Sequence, residues 1–406
     1  MKADKKQAAR IIFACSLVYM ISYVTRNSYN AIIAEMVTST GLAKSTLSVA
    51  LTGAFITYGL GQLISGIFGD KVQPKILIAI GLVATTVMNG LIPFCRNATQ
   101  MAIVWCCNGF AQSFMWPPIV KTLYTALTPE DYSRGCVKVS WGSSFGNIFV
   151  YLTAPLLILL LGWKSVFWTA SAMGIIGLLL WLKLCPRIDM TLPGKKKSFS
   201  TNDNGHGSIL ILPLILVMLG IILQGLLKDG VTTWMPSYIA ETYGLSNEIS
   251  ILVGVVLPTF SILCYSFANY FYLKRKNPIY CSLVIFLIST VACGILFLLS
   301  DNNAILSIAL SALITGSMHG VNFMLIGIAP PVFAKNGNVS TFSGILNCTA
   351  YVGSAISSWV IPLATENAGW NATLLMWLCI AGAGVLLCAV CLSPWKRLTA
   401  KETTNA

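Results

Sequence analysis

The sequence predicts an all-α membrane protein whose twelve transmembrane helices form two pseudo-symmetric six-helix halves, and three observations carry that reading. Hydrophobic residues make up 56% of the 406 and charged residues only 10%, whereas a water-soluble globule keeps about a quarter of its residues charged. Twelve apolar stretches each approach or exceed the roughly 20 residues that cross a bilayer. Landmarks also recur at a fixed offset: Gly146, Pro155, Gly162 and Trp163 return as Gly353, Pro362, Gly369 and Trp370, all 207 positions later, and Gly41 and Leu42 return as Gly244 and Leu245, 203 later. Four positions at one offset mark an internal repeat.

The N-terminal "MKADKKQAAR" resembles the basic region of a signal peptide. The apolar run behind it is longer than a signal core and lacks a small-residue cleavage pattern, so it reads as a retained first helix. The spans of the first half are placed at 11–34, 46–68, 74–95, 99–127, 136–161 and 164–185. Between 186 and 208 the chain is polar, basic and rich in Gly, Ser and Asn, which is linker composition. The second half places spans at 209–240, 247–273, 277–299, 304–333, 340–365 and 372–395. The domains are therefore 1–185, a linker 186–208, and 209–406. "WPP" in the fourth span and "APP" in the tenth remove backbone donors and are expected to kink or end those helices.

A net charge of +13 raises the question of a nucleic-acid partner. With alternating spans, 21 of the 26 basic residues fall on the side of the N-terminus, which is the positive-inside asymmetry of a multi-pass protein of the plasma (inner) membrane with both termini cytoplasmic. The charge thus describes topology, and no nucleic acid is implied. The thirteen cysteines lie mostly within apolar spans at no metal-ligand spacing, so they read as free packing thiols. No metal, cofactor or catalytic motif is indicated, and an enzyme is not expected.

Two cations lie deep in spans: Arg26 in the first and Lys228 in the seventh, its repeat partner, 202 positions on. A charge at the bilayer centre costs about 2.5–3.5 kcal/mol on insertion scales, so one that persists usually faces a water-filled cavity or has a partner. The pseudo-twofold relation places the two cations opposite one another, where an anion between them relieves their repulsion. The competing reading is an ion pair that only joins helices, with Asp229 as the acid. Tyr19, Tyr23 and Arg26, at spacings of four and three, share one helix face, as do Tyr58 and Gln62 in span two. Phenol and guanidinium donate hydrogen bonds into a polar cavity, and arginine's planar fork suits phosphate or carboxylate.

Paired parallel repeats around a mid-membrane site resemble the major facilitator architecture. The loop "GIFGDKVQPK" resembles that superfamily's signature, with Gly66 allowing close helix contact, Asp70 able to accept from a neighbouring helix end, and Lys71 and Lys75 at the inner surface. The stretches "YMISYVTRNSY", "AFITYGLGQLISGIFGD", "GFAQSFMWPP", "RGCVKVSWGSSFGN", "LLKDGVTTWMPSYIAE" and "GVNFMLIGIAPPVFA" are similar to segments of the organophosphate:phosphate antiporter family, over essentially the whole chain. That resemblance implies that Arg26 and Lys228 hold a phosphate group and that Tyr19, Tyr23 and Tyr58 line the site. It also exposes departures: the usual span-seven arginine is Lys228, a span-two lysine of the glycerol-3-phosphate carrier is Gln62, and a span-five histidine near Trp141 is Phe145. A substrate with a larger, less polar body than glycerol is the expectation.

Trp141, His319 and Tyr351 complete the candidate lining. His319 is the single histidine within a span and reads either as cavity lining or as a satisfied structural residue. Asp229, next to Lys228, points about 100° away from it on a helix and either orients a neighbouring helix or carries a coupling proton. The function implied is a secondary active transporter, a monomer in the lipid bilayer, exchanging an organophosphate such as a sugar phosphate for inorganic phosphate by alternating access. A transporter-like sensor of a phosphorylated metabolite, or an exporter of another substrate, is the alternative.

Overall fold

The computed structural model describes residues 4–42, 44–185, 207–244, 247–299, 303–334 and 338–404, so nearly all of the expected linker, including Lys195, Lys196 and Lys197, lies outside the described residues. The described residues are helical almost throughout: α1 (Lys5–Thr40), α2 (Lys44–Lys71), α3 (Pro74–Leu91), α4 (Ala98–Gln112), α5 (Trp116–Ala126), α6 (Pro129–Leu161), α7 (Lys164–Leu184), α8 (Gly207–Tyr243), α9 (Asn247–Arg275), α10 (Pro278–Leu299), α11 (Ala304–Asn322), α12 (Pro330–Phe333) and α13 (Val339–Thr404). Ten helical segments among them are long and apolar enough to cross a membrane.

Prolines explain where expected spans are broken. The stretch 99–127 is two helices, because Pro117 and Pro118 supply no N–H to the carbonyls four residues back and crowd them. Both prolines then sit in the first turn of α5, where a missing donor costs nothing. The break therefore precedes "WPP". The stretch 304–333 is interrupted in the same way: α11 passes into a π-helical turn, Phe323–Ile328, in which Ala329 N bonds to Met324 O at 3.1 Å, and Pro330 restarts the helix. Within α13, Gly369 (φ 74°, ψ −177°) separates two helices.

The chain divides into two compact units, residues 1–192 with 339–348, and residues 193–338 with 349–406. The same backbone devices recur in both. Among the described residues, Gly41 and Gly162 in the first unit and Gly244 and Gly369 in the second are the glycines with positive φ, between 64° and 79°, a region that L-residues with a Cβ avoid. Gly146 brings α6 against α1 so closely that a Cβ would lie 2.4 Å from Met20 O, while Gly353 brings α13 against α8, a Cβ there lying 2.1 Å from Ile222 O. Between the spans, the core of the first unit packs Tyr29 at a tilt on Trp105 at 5.0 Å, with Phe167 edge-on to both. All thirteen cysteines are free thiols.

Candidate functional site

In the first unit the aromatic face of α1 wraps the arginine. Tyr19 packs edge-on against Tyr23 at 5.1 Å and at a tilt against Trp116 of α5 at 5.2 Å. The Arg26 guanidinium lies over the rings of Tyr58 at 4.3 Å and Tyr23 at 5.2 Å. Each such contact is worth about 0.5–2 kcal/mol according to its desolvation, which offsets part of the cost of burying the charge while leaving the guanidinium's in-plane N–H groups for other partners. Arg26, Asn27, Asn30, Tyr58, Asn108 and Gln112 border a crevice of about 20 Å³, room for roughly one water by the usual measure. Asn30 Oδ1 is buried there without a hydrogen-bond partner.

Beneath this crevice lies a buried polar network that the sequence reading missed. Asn89 Nδ2 donates to Thr25 O at 2.8 Å and to Thr85 O at 2.9 Å, and Ser28 Oγ donates to Asn89 Oδ1 at 2.9 Å. Gln112 Nε2 donates to the hydroxyls of Thr25 and Thr85, both at 2.8 Å, and Thr85 in turn donates to Asn108 Oδ1 at 2.5 Å. These groups come from α1, α3 and α4 and are at most 2% exposed. A satisfied network of this kind fixes one helix register, because any slip strands several amides at once. The legible signal was two asparagines and a glutamine inside otherwise apolar stretches.

Gln62, expected beside Tyr58, is fully buried and occupied: its Nε2 donates to Ser113 O at 3.3 Å and its Oε1 accepts from Asn347 Nδ2 at 3.0 Å. In this conformation it is a packing residue of α2. Trp141 is half-buried, its Nε1 without a hydrogen-bond partner, and Phe145, one turn on, is 49% exposed. Tyr351 in α13 is half-buried.

The loop motif is tightly built. Asp70 pairs with Lys121 Nζ at 2.9 Å and accepts from Ser340 N at 3.1 Å, Thr341 N at 2.8 Å and Thr341 Oγ1 at 2.6 Å. A carboxylate thus satisfies the orphan donors that open α13, where the helix dipole favours negative charge. Gly66 admits this approach, since a Cβ there would lie 2.8 Å from Ser340 O. Lys75 Nζ donates to Leu182 O at 2.9 Å and Cys185 O at 2.7 Å, and Arg10 donates to Lys183 O at 2.9 Å, so these cations cap the C-terminal end of α7. Lys71 is exposed.

In the second unit Lys228 is paired with its chain neighbour Asp229 at 3.2 Å. The adjacent helix positions diverge at Cα, but the four-carbon lysine stem swings back across the angle. Asp229 also accepts from Ser354 Oγ of α13, which ties it to a neighbouring helix. His319 Nδ1 is hydrogen-bonded to Tyr265 OH of α9 at 2.8 Å, and the two rings are edge-on. Gln224, one turn before Lys228, is fully buried; its Oε1 accepts from Asn322 Nδ2 at 3.5 Å and its Nε2 has no partner. Tyr265, Gln224 and Asn322 were not anticipated. Among the described residues no group of His, Cys, Asp or Glu is placed to hold a metal ion.

Known proteins agree with this architecture. The Major Facilitator Superfamily model matches residues 15–358. The membrane sensor protein UhpC of Salmonella typhimurium is 23% identical over 93% of this chain and 90% of its own length. The glycerol-3-phosphate transporter of Bacillus subtilis is 24% identical over 92% and 90%. The major facilitator transporter FucP, in the outward conformation, superposes with a TM-score of 0.74 at 13% identity, covering 94% of this chain and 98% of that one, which shows the shared fold. The chain therefore belongs to the major facilitator superfamily of membrane transporters, among the relatives that make up its organophosphate:phosphate antiporter family.

Proposed function

We propose that this chain is a secondary active antiporter, a monomer in the inner plasma membrane with both termini cytoplasmic, that exchanges an organophosphate such as a sugar phosphate for inorganic phosphate. The observation that carries the reading is Arg26, a guanidinium deep in a membrane span, seated on Tyr58 and Tyr23 with a small crevice beside it that Asn27, Asn30, Asn108 and Gln112 help to line. Lys228, its repeat counterpart, supplies the second cation. Residues of this type recognise a phosphoryl group through charge-assisted hydrogen bonds, and a transporter moving such an anion needs no catalytic group. The name of the glycerol-3-phosphate relative supports the same substrate class.

The test is exchange by purified protein in proteoliposomes. Vesicles loaded with phosphate should take up labelled phosphate, and a phosphate ester should compete. Uptake no faster than in empty liposomes would refute antiport. The similarity to a membrane sensor favours one other reading, a receptor that binds a phosphorylated metabolite without turnover. Ligand-dependent thermal stabilisation with no exchange is its signature.

A further inference from the structure

The transport reading leaves unused a cluster of polar side chains in the second unit. Gln224 and Lys228 stand one turn apart on α8, and His319 and Asn322 one turn apart on α11. Asn322 Nδ2 reaches Gln224 Oε1 at 3.5 Å, which joins the two helices at the turn before Lys228. Tyr265 OH holds His319 Nδ1 at 2.8 Å. The π-helical turn begins immediately after Asn322, and Phe323 packs edge-on to Tyr265; such turns frequently accompany functional sites.

The chemistry of this cluster differs from that of an anion site. Its charges are those of one ion pair, Lys228 with Asp229, whose carboxylate also accepts from Ser354. Its groups both donate and accept. The tyrosine hydroxyl either donates to His319 Nδ1, leaving Nε2–H as a donor, or accepts from Nδ1–H, leaving Nε2 as an acceptor. The Gln224 amide, fully buried, holds a donor with nothing to bond. A ligand hydroxyl, itself donor and acceptor, satisfies either state of the imidazole and can pair with the amides. Inorganic phosphate, carrying mostly acceptors, can use the donors of this face but does little for its acceptors, whereas a hydroxyl serves both.

We propose that Gln224, His319 and Asn322, with Tyr265 as the positioning residue for the imidazole, form a subsite that reads the hydroxyl-bearing body of the organic phosphate, a polyol or sugar, next to the cation that takes its phosphoryl group. This rests on the antiport reading and deepens it. The subsite is what separates the ester from inorganic phosphate.

Proteoliposomes of wild type, Gln224→Met and His319→Phe would be assayed for labelled phosphate exchange, with competition by glucose 6-phosphate, glycerol 3-phosphate and methyl phosphate, the last carrying no hydroxyl on its body. The variants should lose at least tenfold in the affinity of the best hydroxylated ester relative to phosphate, while the ratio for methyl phosphate moves less than threefold. Equal shifts for hydroxylated and hydroxyl-free esters, or a wild type that prefers methyl phosphate to both, would overturn the subsite. Tyr265→Phe, which keeps the ring, is the milder variant should His319→Phe fail to insert. It should lose part of the same ester preference, and a Tyr265→Phe protein with wild-type preference counts against the proposal. Thermal stabilisation of the detergent-purified protein by the same ligands separates the two claims. Hydroxyl-dependent binding without exchange removes antiport and leaves the subsite, whereas exchange with no hydroxyl preference does the reverse.

Discussion

In the first unit Gly146 rests against the Met20 carbonyl, and in the second Gly353 rests against the Ile222 carbonyl, at positions related by the repeat. Around that shared contact the side chains diverge. The first unit surrounds its deep cation with aromatic rings and a satisfied network of Thr25, Thr85, Asn89, Asn108 and Gln112. The second pairs its cation with an acid at 3.2 Å and leaves Gln224 Nε2 unbonded. The loops diverge in the same way. Asp70 caps α13 in one, while in the corresponding turn of the other Lys274 and Arg275 lie over Tyr270 and Tyr280. Backbone geometry was kept through the duplication because close helix contact tolerates no side chain there. Polar chemistry was free to specialise because it depends on which neighbours arrive.

The largest expected effect tests the cation that has aromatic support. Arg26→Ala should leave inserted protein with phosphate exchange reduced a hundredfold or more, since it deletes charged hydrogen bonds worth about 1.5–3 kcal/mol each. Arg26→Lys should fail nearly as badly, because an ammonium does not reproduce the planar fork. Near wild-type exchange rates in either variant would place the anion elsewhere.

The shared backbone contact can be broken on both sides. Gly146→Ala and Gly353→Ala each press a methyl group into a backbone carbonyl, and overpacking of this kind costs typically 1–3 kcal/mol. Both should lower the thermal unfolding temperature by similar amounts. A large loss on one side only would show that the two contacts are not equivalent.

Asp229→Asn probes the contrast between the cations. Removing the acid frees Lys228, while the new amide oxygen still accepts from Ser354. With roughly 1 kcal/mol of screened attraction gone, phosphate should bind about fivefold more tightly. Weaker binding would mean that Asp229 serves the anion site itself, by orientation or by a proton. The smallest effect is expected in the basic segment between the two sets of spans: serine at Lys195, Lys196 and Lys197 together should change exchange less than twofold, since the segment joins the halves. Loss of exchange by correctly inserted protein would give that segment a role of its own.

Fold class, repeat and loop signature were all legible in one dimension. Span length follows from bilayer thickness. The glycines at 41, 162, 244 and 369 are recognisable because turns with positive φ exclude other residues. Arg26 was legible for the same kind of reason, since a charge in an apolar stretch is costly enough to need an explanation. The breaks at Pro117 and Pro330 were legible as proline effects, though their placement one turn earlier required the carbonyl clash to be followed backwards.

What only the tertiary structure decided is which polar atoms meet. Gln62 shares a helix face with Tyr58 in sequence, yet Ser113 and Asn347 occupy both ends of its amide. Asp229 diverges from Lys228 on the helical wheel, yet a flexible stem joins them. Tyr265 and His319 lie 54 residues apart, and nothing in either stretch names the other. Hydrophobic burial is roughly additive along a chain and tied to helical periodicity, so it can be read locally. A hydrogen bond exists only when two groups from distant segments arrive within about 3 Å in the right orientation, and only the packed fold sets that condition.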